Sequence, residues 1–359
     1  MLALFAAVSL QSSLKADLEQ IRAKYNLPSI CAGAVVDGKT VALEVVGVRR
    51  AGSTEDATTK DRYHWGSNTK SVTASLVGVL VQQGDIHWDT TLAELFPEQV
   101  GKMSKAWEKV TVLQILQHRG GFSKETYDAE PKVTTSIQNL QGKRYNYAVR
   151  ALSQEPASPP GTKFEYSNRG YMVLGAGLEK LTGKPWEDLV RQEIFKPLEL
   201  DSAGFGPQGW VTHTSEPWGH IWERNKWTPI PPSPNSDNAA IVGPAGTLHS
   251  SVPDMLKWVA LQANEGASGG ILEPSTFKVL HTPPTGADYA GGWITVPREW
   301  AGGLALTHAG SNTMNYALFW VAPKRKFGLA IAINAYSPEV QKAANDVATL
   351  LILRCCPKN

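Results

Sequence analysis

Wound as a helix, the run Val72-Thr73-Ala74-Ser75-Leu76-Val77-Gly78-Val79-Leu80-Val81 is apolar on nearly every side, and this constrains the fold more than any other stretch. A helix without a polar face belongs in a protein interior, so other elements must surround it. Gln82-Gln83-Gly84 closes the run, with Gly84 placed for a left-handed residue after the last turn. Just before it stands His64-Trp65-Gly66-Ser67-Asn68-Thr69-Lys70-Ser71, which puts Ser67 and Lys70 at the mouth of the buried helix. Three residues apart, the two side chains share one face and can touch. Desolvation lowers the pKa of a buried lysine and makes Lys70 a candidate general base for the Ser67 hydroxyl. The N–H groups of the helix start point at whatever sits over Ser67, which suits a developing oxyanion. Serine near a helix start is also a common cap, so the pair alone leaves both readings open.

A chain of 359 residues can bury one large core or two modest ones. Apolar residues at 42% and charged residues at 19% describe an ordinary folded globule. The net charge of +2 comes with no basic block, which argues against nucleic acid or an anionic membrane as the main partner. Cys31, Cys355 and Cys356 form neither a disulfide framework nor a Cys-x-x-Cys metal pattern, although the Cys355-Cys356 tail could cross-link chains. His213 and His220 lie in a loop-like stretch without helical register, so no metal site is expected. No apolar run is long enough to span a membrane. Residues 2–10 (LALFAAVSL) resemble the apolar part of an export signal without its basic flank, or else the start of a first helix. The expectation leans toward export.

In chain order, residues 12–25 read as an amphipathic helix with Leu14, Leu18, Ile21 and Tyr25 on one stripe. Residues 30–36 and 40–48 are β-rich and joined through Asp37-Gly38, a hairpin signal. A helix-rich middle follows, including 110–118, 171–182 and 185–195. Residues 205–238 break the pattern with Pro, Gly and four tryptophans, Trp210, Trp218, Trp222 and Trp227. Those indoles either line a substrate cleft or form the small core of an inserted hairpin. After residue 243 come a helix (252–264), strand-like runs at 291–296, 304–308, 316–321 and 327–334, and a last helix (339–353). The expected fold is therefore α/β (α+β), with a mainly antiparallel sheet formed by both chain ends and flanked by helices. Residues 12–62 and 240–359 would make the sheet domain. Residues 63–239 would make a mainly helical insertion that includes the Trp-rich segment.

Two further stretches carry candidate chemistry. In Lys163-Phe164-Glu165-Tyr166-Ser167-Asn168, Tyr166 and Asn168 stand two residues apart just before a helix, where a phenol can pass protons and an amide can hold a carbonyl or a lysine. In Leu306-Thr307-His308-Ala309-Gly310-Ser311-Asn312, a small-residue strand edge can pair with an extended substrate. Read alone, each is also a packed tyrosine or a strand-end histidine before a glycine turn.

Together the Ser-x-x-Lys, Tyr-x-Asn and His-x-Gly motifs, in that order, resemble the serine β-lactamase and penicillin-binding-protein superfamily. The Tyr-x-Asn form is similar to the branch holding class C β-lactamases, D-Ala-D-Ala carboxypeptidases, D-aminopeptidases and related esterases. The resemblance covers most of the chain, with similar segments at Leu116-Gln117-His118-Arg119-Gly120-Gly121, Phe195-Lys196-Pro197-Leu198, Gly243-Pro244-Ala245-Gly246-Thr247-Leu248 with Asp254, and Ile333-Asn334. In the first of these, Arg119-Gly120 stands where the branch has Thr-Ser.

The resemblance implies Ser67 as nucleophile, Lys70 as its base and Tyr166 as proton donor to the leaving group. It implies Asn168 as the group that orients Lys70 and the substrate amide, and the N–H groups of Ser67 and Ser311, beyond Gly310, as the oxyanion hole. The implied reaction is acyl transfer to a small-molecule, peptide or ester substrate without metal or organic cofactor. His308 departs from the Lys-Thr-Gly of class C β-lactamases. Imidazole, with a reference pKa of about 6.5, anchors a carboxylate weakly at neutral pH. A peptidase, carboxypeptidase or esterase with poor β-lactam turnover is thus expected. The competing readings are a true β-lactamase, a non-catalytic sensor or scaffold, and a Ser67–His308 triad.

Overall fold

A computed structural model describes residues 13–124, 139–209, 215–266 and 270–358. Helix α1 (Leu14–Lys24) is capped by the Ser13 side chain, which accepts from Ala16 N, and lays Leu18 into the core. Strands β1 (Ser29–Val36) and β2 (Lys39–Gly47) make the expected hairpin. Asp37 and Gly38 both take positive φ, 49° and 77°, the two-residue turn whose twist matches the flanking strands.

After β3 (Arg62–His64), a 3-10 turn (Gly66–Asn68) leads into α2 (Thr69–Gln83), where every residue from Thr69 to Leu80 is buried. Gly84 ends the helix in the left-handed conformation the sequence anticipates. Short helices α3 (Leu92–Leu95), α4 (Lys105–Glu108) and α5 (Val112–Leu116) follow, then α6 (Leu140–Leu152), α7 (Asn168–Thr182) and α8 (Trp186–Val190). Reciprocal capping boxes, Thr91 with Glu94 and Thr111 with Gln114, satisfy the first N–H groups of the short α3 and α5.

The segment expected to be mainly helical also supplies strands. Strands β3 and β4 (Gly204–Phe205) flank β7 (Leu248–Ser251) in a small antiparallel sheet, which comes directly after α9 (Gly243–Gly246). That sheet ties the chain before Ser67 to the chain after residue 240, with Trp65 N donating to Leu248 O at 2.8 Å. Strands β5 (Gly219–Glu223) and β6 (Lys226–Ile230) form a separate hairpin. Trp222 and Trp227 face each other across it with ring centroids 5.0 Å apart, and Trp227 donates to Asn26 O. These two indoles thus form a cross-strand pair on a hairpin, with Trp222 46% exposed, and not a buried core. Trp218 stacks under Arg50, and Trp210 lies outside the described residues.

Helices α10 (Val252–Asn264) and α11 (Pro274–His281) lead into β8 (Ile294–Arg298), β9 (Gly303–Ser311), β10 (Tyr316–Ala322) and β11 (Phe327–Ile333), and α12 (Pro338–Cys355) closes the chain. The six-stranded antiparallel sheet has the order β2-β1-β11-β10-β9-β8, so strands from both chain ends meet at β1 and β11, with Ile30 opposite Ile333. Alternation along β11 separates two faces. Leu329, Ile331 and Ile333 join α1 and α12, whereas Ala330 and Ala332 join the core that holds α10 and α2. Alanines on that face let α10 lie close against β1, β10 and β11. In the helical layer, buried Arg144 of α6 pairs with Glu179 of α7 and Glu187 of α8 and donates to the carbonyls of Ala240 and Ile241. It anchors the turn that carries Pro244 and Ala245 over α2. Among the described residues no helix is long and apolar enough to cross a membrane.

Candidate active site

Ser67 is the one partly exposed residue between Tyr63 and Leu80. The turn around it is fixed from several sides. Asn68 donates to Trp65 O and to Ala317 O of β10, Thr69 Oγ1 donates to Gly66 O, and Trp65 Nε1 donates to Ser250 Oγ. One helical turn on, Lys70 is fully buried, with Nζ 3.0 Å from Ser67 Oγ, 2.6 Å from Asn168 Oδ1 and 2.8 Å from Ala245 O. Burial holds this ammonium well below its ordinary pKa. In the neutral amine the two carbonyl oxygens take both N–H groups, which leaves the lone pair directed at the Ser67 hydroxyl.

Ser167 caps α7, accepting from Gly170 N, so Tyr166 stands just outside the helix and Asn168 is its first residue. The Tyr166 ring centroid lies 4.8 Å from Lys70 Nζ, beside the Ser67 turn. Burial raises the phenol above its usual range, with the Ser67 side chain opposing, so the group holds its proton at neutral pH. The structure therefore brings Ser67, Lys70, Tyr166 and Asn168 into one cluster.

Gly310 and Ser311, at the end of β9, close the other side. Gly66 and Gly310 abut backbone to backbone. A Cβ on Gly310 would lie 2.1 Å from Trp65 O and 2.4 Å from Ser67 N, and one on Gly66 would lie 2.1 Å from Ser311 N. Only glycine tolerates that approach, and it sets the N–H groups of Ser67 and Ser311 side by side. Gly66 also has a positive φ of 53°.

His308 lies nearby but does not join the cluster. Its Nδ1 is 2.8 Å from Ala309 O, an obligate acceptor, so Nδ1 carries the proton. Its Nε2 then accepts from the Tyr289 hydroxyl at 3.1 Å. Burial, with the positive charge of Lys70, lowers the imidazole pKa to about 3 despite the Ala309 bond. With both nitrogens engaged and the ring neutral, His308 has neither the charge to hold a carboxylate nor a free nitrogen for Ser67.

Several neighbours carried little or no signal in the sequence. His118 packs its ring 4.3 Å from Tyr166 and 4.6 Å from Tyr289, and its Nδ1 accepts from Ser167 N. Its segment figures in the resemblance, which gives the histidine no role. Burial, with the charges of Lys70 and His308, lowers its pKa well below the ordinary value. Tyr289 sits in an unremarkable Gly-rich stretch. Ala245 contributes only a carbonyl, which no side-chain pattern can announce. His220 is structural: Nε2 accepts from Ala51 N and Nδ1 meets Asn334 O. His213 lies outside the described residues, among which no cluster of metal-ligating side chains occurs.

The sequence model of the Beta-lactamase family matches residues 14–354, and the chain belongs to that family. It is 22% identical over 360 residues to the Protein flp of Staphylococcus aureus (strain MW2), covering 95% of this chain and 66% of flp, so it spans just under two thirds of that relative's length. Its fold resembles that of the octameric penicillin-binding protein homologue from Pyrococcus abyssi, with a TM-score of 0.77, 24% identity and coverage of 94% and 76% of the two chains. The D-amino acid amidase from Ochrobactrum anthropi SV3 superposes with a TM-score of 0.76 at 18% identity, covering 95% and 98%.

Proposed function

We propose that the protein is a serine hydrolase that forms an acyl ester on Ser67 from an amide or ester substrate. The observation that carries this reading is the solvent-free Lys70 amine, held by Asn168 and Ala245 with its lone pair toward Ser67 Oγ. Lys70 takes the Ser67 proton as Oγ bonds to the substrate carbonyl carbon. The resulting oxyanion accepts from the N–H groups of Ser67 and Ser311. When the intermediate collapses, the carbon–nitrogen or carbon–oxygen bond to the leaving group breaks. Tyr166 gives that group its proton and recovers one from Lys70. Water then attacks the ester carbon and gives its proton to Tyr166 and Lys70, the bond from that carbon to Ser67 Oγ breaks, Oγ takes the proton back, and the acid leaves. In the proposed division of the chain, Ser67, Lys70, Tyr166 and Asn168 belong to the helical part and Gly310 and Ser311 to the sheet part, so the substrate lies between the two.

Neutral His308 favours substrates that do not rely on a carboxylate anchor, such as amino-acid amides, short peptides and esters. Phe164, 43% exposed beside His118 and Tyr289, gives the cleft an apolar edge suited to an apolar side chain. The penicillin-binding and amidase neighbours support amide chemistry in a fold of this kind. Steady-state assays with D- and L-amino-acid amides, p-nitrophenyl esters and a cephalosporin test the reading. Turnover of an amide or ester, with a β-lactam leaving a lasting adduct on Ser67, is expected. Cephalosporin turnover faster than every amide and ester would establish a true β-lactamase instead.

A further inference from the structure

The acyl-serine reading leaves one buried imidazole–carboxylate contact without a role. The side chains of His64 and Asp237 are 0% and 1% exposed, and His64 Nε2 lies 2.8 Å from Asp237 Oδ1 without the alignment of a full hydrogen bond. Buried polar side chains are costly to keep away from water unless they are held by partners. The contacts on either side of this pair show what it joins.

His64 Nδ1 accepts from Gly66 N at 2.9 Å, within the turn that presents Ser67. Asp237 Oδ1 accepts from Asn312 Nδ2 at 3.0 Å, and Asn312 directly follows Ser311. Asn312 Oδ1 in turn accepts from the N–H groups of Met314 and Asn315 and from Asn315 Nδ2, which sets the end of β9. The next residue, Asn238, donates from its backbone to Asp237 Oδ1 and from its side chain to Gly246 O, one position beyond the Ala245 carbonyl that holds Lys70. One carboxylate oxygen thus gathers the turn before the nucleophile, the strand end after the second oxyanion donor and the loop above the lysine.

We propose that His64 and Asp237 are positioning residues that brace the oxyanion hole by holding the Gly66 and Ser311–Asn312 backbones at a fixed spacing. They touch no substrate. Their effect is on the geometry of the Ser67 and Ser311 N–H groups, where the Gly66–Gly310 approach leaves no room for a Cβ. The inference rests on the acyl-serine reading.

The test uses the full chain and two readouts, steady-state kinetics on the best amide or ester and the affinity of phenylboronic acid, whose tetrahedral adduct puts an oxygen in the oxyanion hole. Boronate binding to the wild type and not to Ser67→Ala checks the acyl-serine reading on its own. If the wild type binds no boronate, that reading fails and the brace falls with it. Asp237→Ala is expected to lower kcat roughly 10- to 100-fold, below the loss of a whole donor. KM should change little, and boronate affinity should fall in parallel with kcat. Asp237→Asn keeps an oxygen acceptor for Asn312 and Asn238 and should restore kcat to within a few-fold of wild type. His64→Gln removes the Gly66 acceptor and Asn312→Ala the other arm. Each should reproduce the loss of kcat, and they carry the test if Asp237→Ala does not fold. Folded variants with wild-type kcat and boronate affinity would overturn the proposal. So would a loss of kcat without loss of boronate affinity, while wild-type binding left the acyl-serine reading standing.

Discussion

On the α2 side of the cleft the polar groups face one another, with Lys70 against Ser67 and Asn168 and the Tyr166 ring beside the Lys70 amine. On the β9 side the strand offers backbone at Ser311, while His308 turns both nitrogens to Tyr289 and Ala309. Lys70 and His308 are bases buried to a similar degree, and burial lowers the pKa of each. Desolvation therefore does not by itself make a catalytic base. The lysine keeps a lone pair beside a hydroxyl proton, whereas the histidine has spent both of its positions on structural partners.

The largest effect expected from this contrast is that of Lys70→Ala, which should lower kcat by roughly 10²–10⁴-fold, the usual worth of a general base. Lys70→Arg should do the same, because a guanidinium does not deprotonate. A mild Lys70 variant beside a severe His308→Ala would reverse the assignment and favour a Ser–His mechanism. Next comes Gly310→Ala, whose Cβ would push between Trp65 O and Ser67 N. It should lower kcat by about 10²–10³-fold, as loss of an oxyanion donor does, with Ser67 still present for labelling.

The pH profile sharpens the same comparison. Lys70 must be neutral to act, so kcat/KM is present above its depressed pKa and is lost as pH falls through it, about tenfold per unit. His308, already neutral down to about pH 3, should add no limb near the ordinary imidazole range. A limb near pH 6.5 that disappears in His308→Gln would contradict the sealed imidazole. The smallest effect on activity belongs to Tyr289→Phe, which should change kcat by less than about tenfold, a factor worth under ~1.4 kcal/mol. It leaves His308 Nε2 a buried acceptor without its donor, which costs about 1–3 kcal/mol of stability, measurable by urea unfolding.

Much of this arrangement was legible in the sequence, for identifiable reasons. The α2 run shows its burial in composition, Asp37-Gly38 specifies its turn locally, and Ser67 with Lys70 is a one-turn relation. Tyr166 and Asn168 were legible through resemblance and spacing. The remainder depends on contacts that form only in three dimensions. Strands β3, β4 and β7 are two to four residues long and too short to show alternation. Helix α11, with Pro274 at its start and Phe277 and Leu280 buried, does carry a local signal in its proline start and apolar spacing. Tyr289 and the His64–Asp237 pair acquire meaning only when distant segments meet. Of the abutting glycines, Gly310 was legible through the His-x-Gly motif, whereas Gly66 appears in the sequence merely as one glycine among thirty-two.

On the proposed function, burial and placement of Lys70 activate Ser67. The most direct test is intact-mass measurement of fluorophosphonate labelling on wild type, Ser67→Ala and Lys70→Ala, with the labelled peptide mapped. A single adduct on Ser67 in the wild type, none in Ser67→Ala and far slower labelling of folded Lys70→Ala is the expected result. No adduct on folded wild-type protein, or equally fast labelling without Lys70, would contradict it.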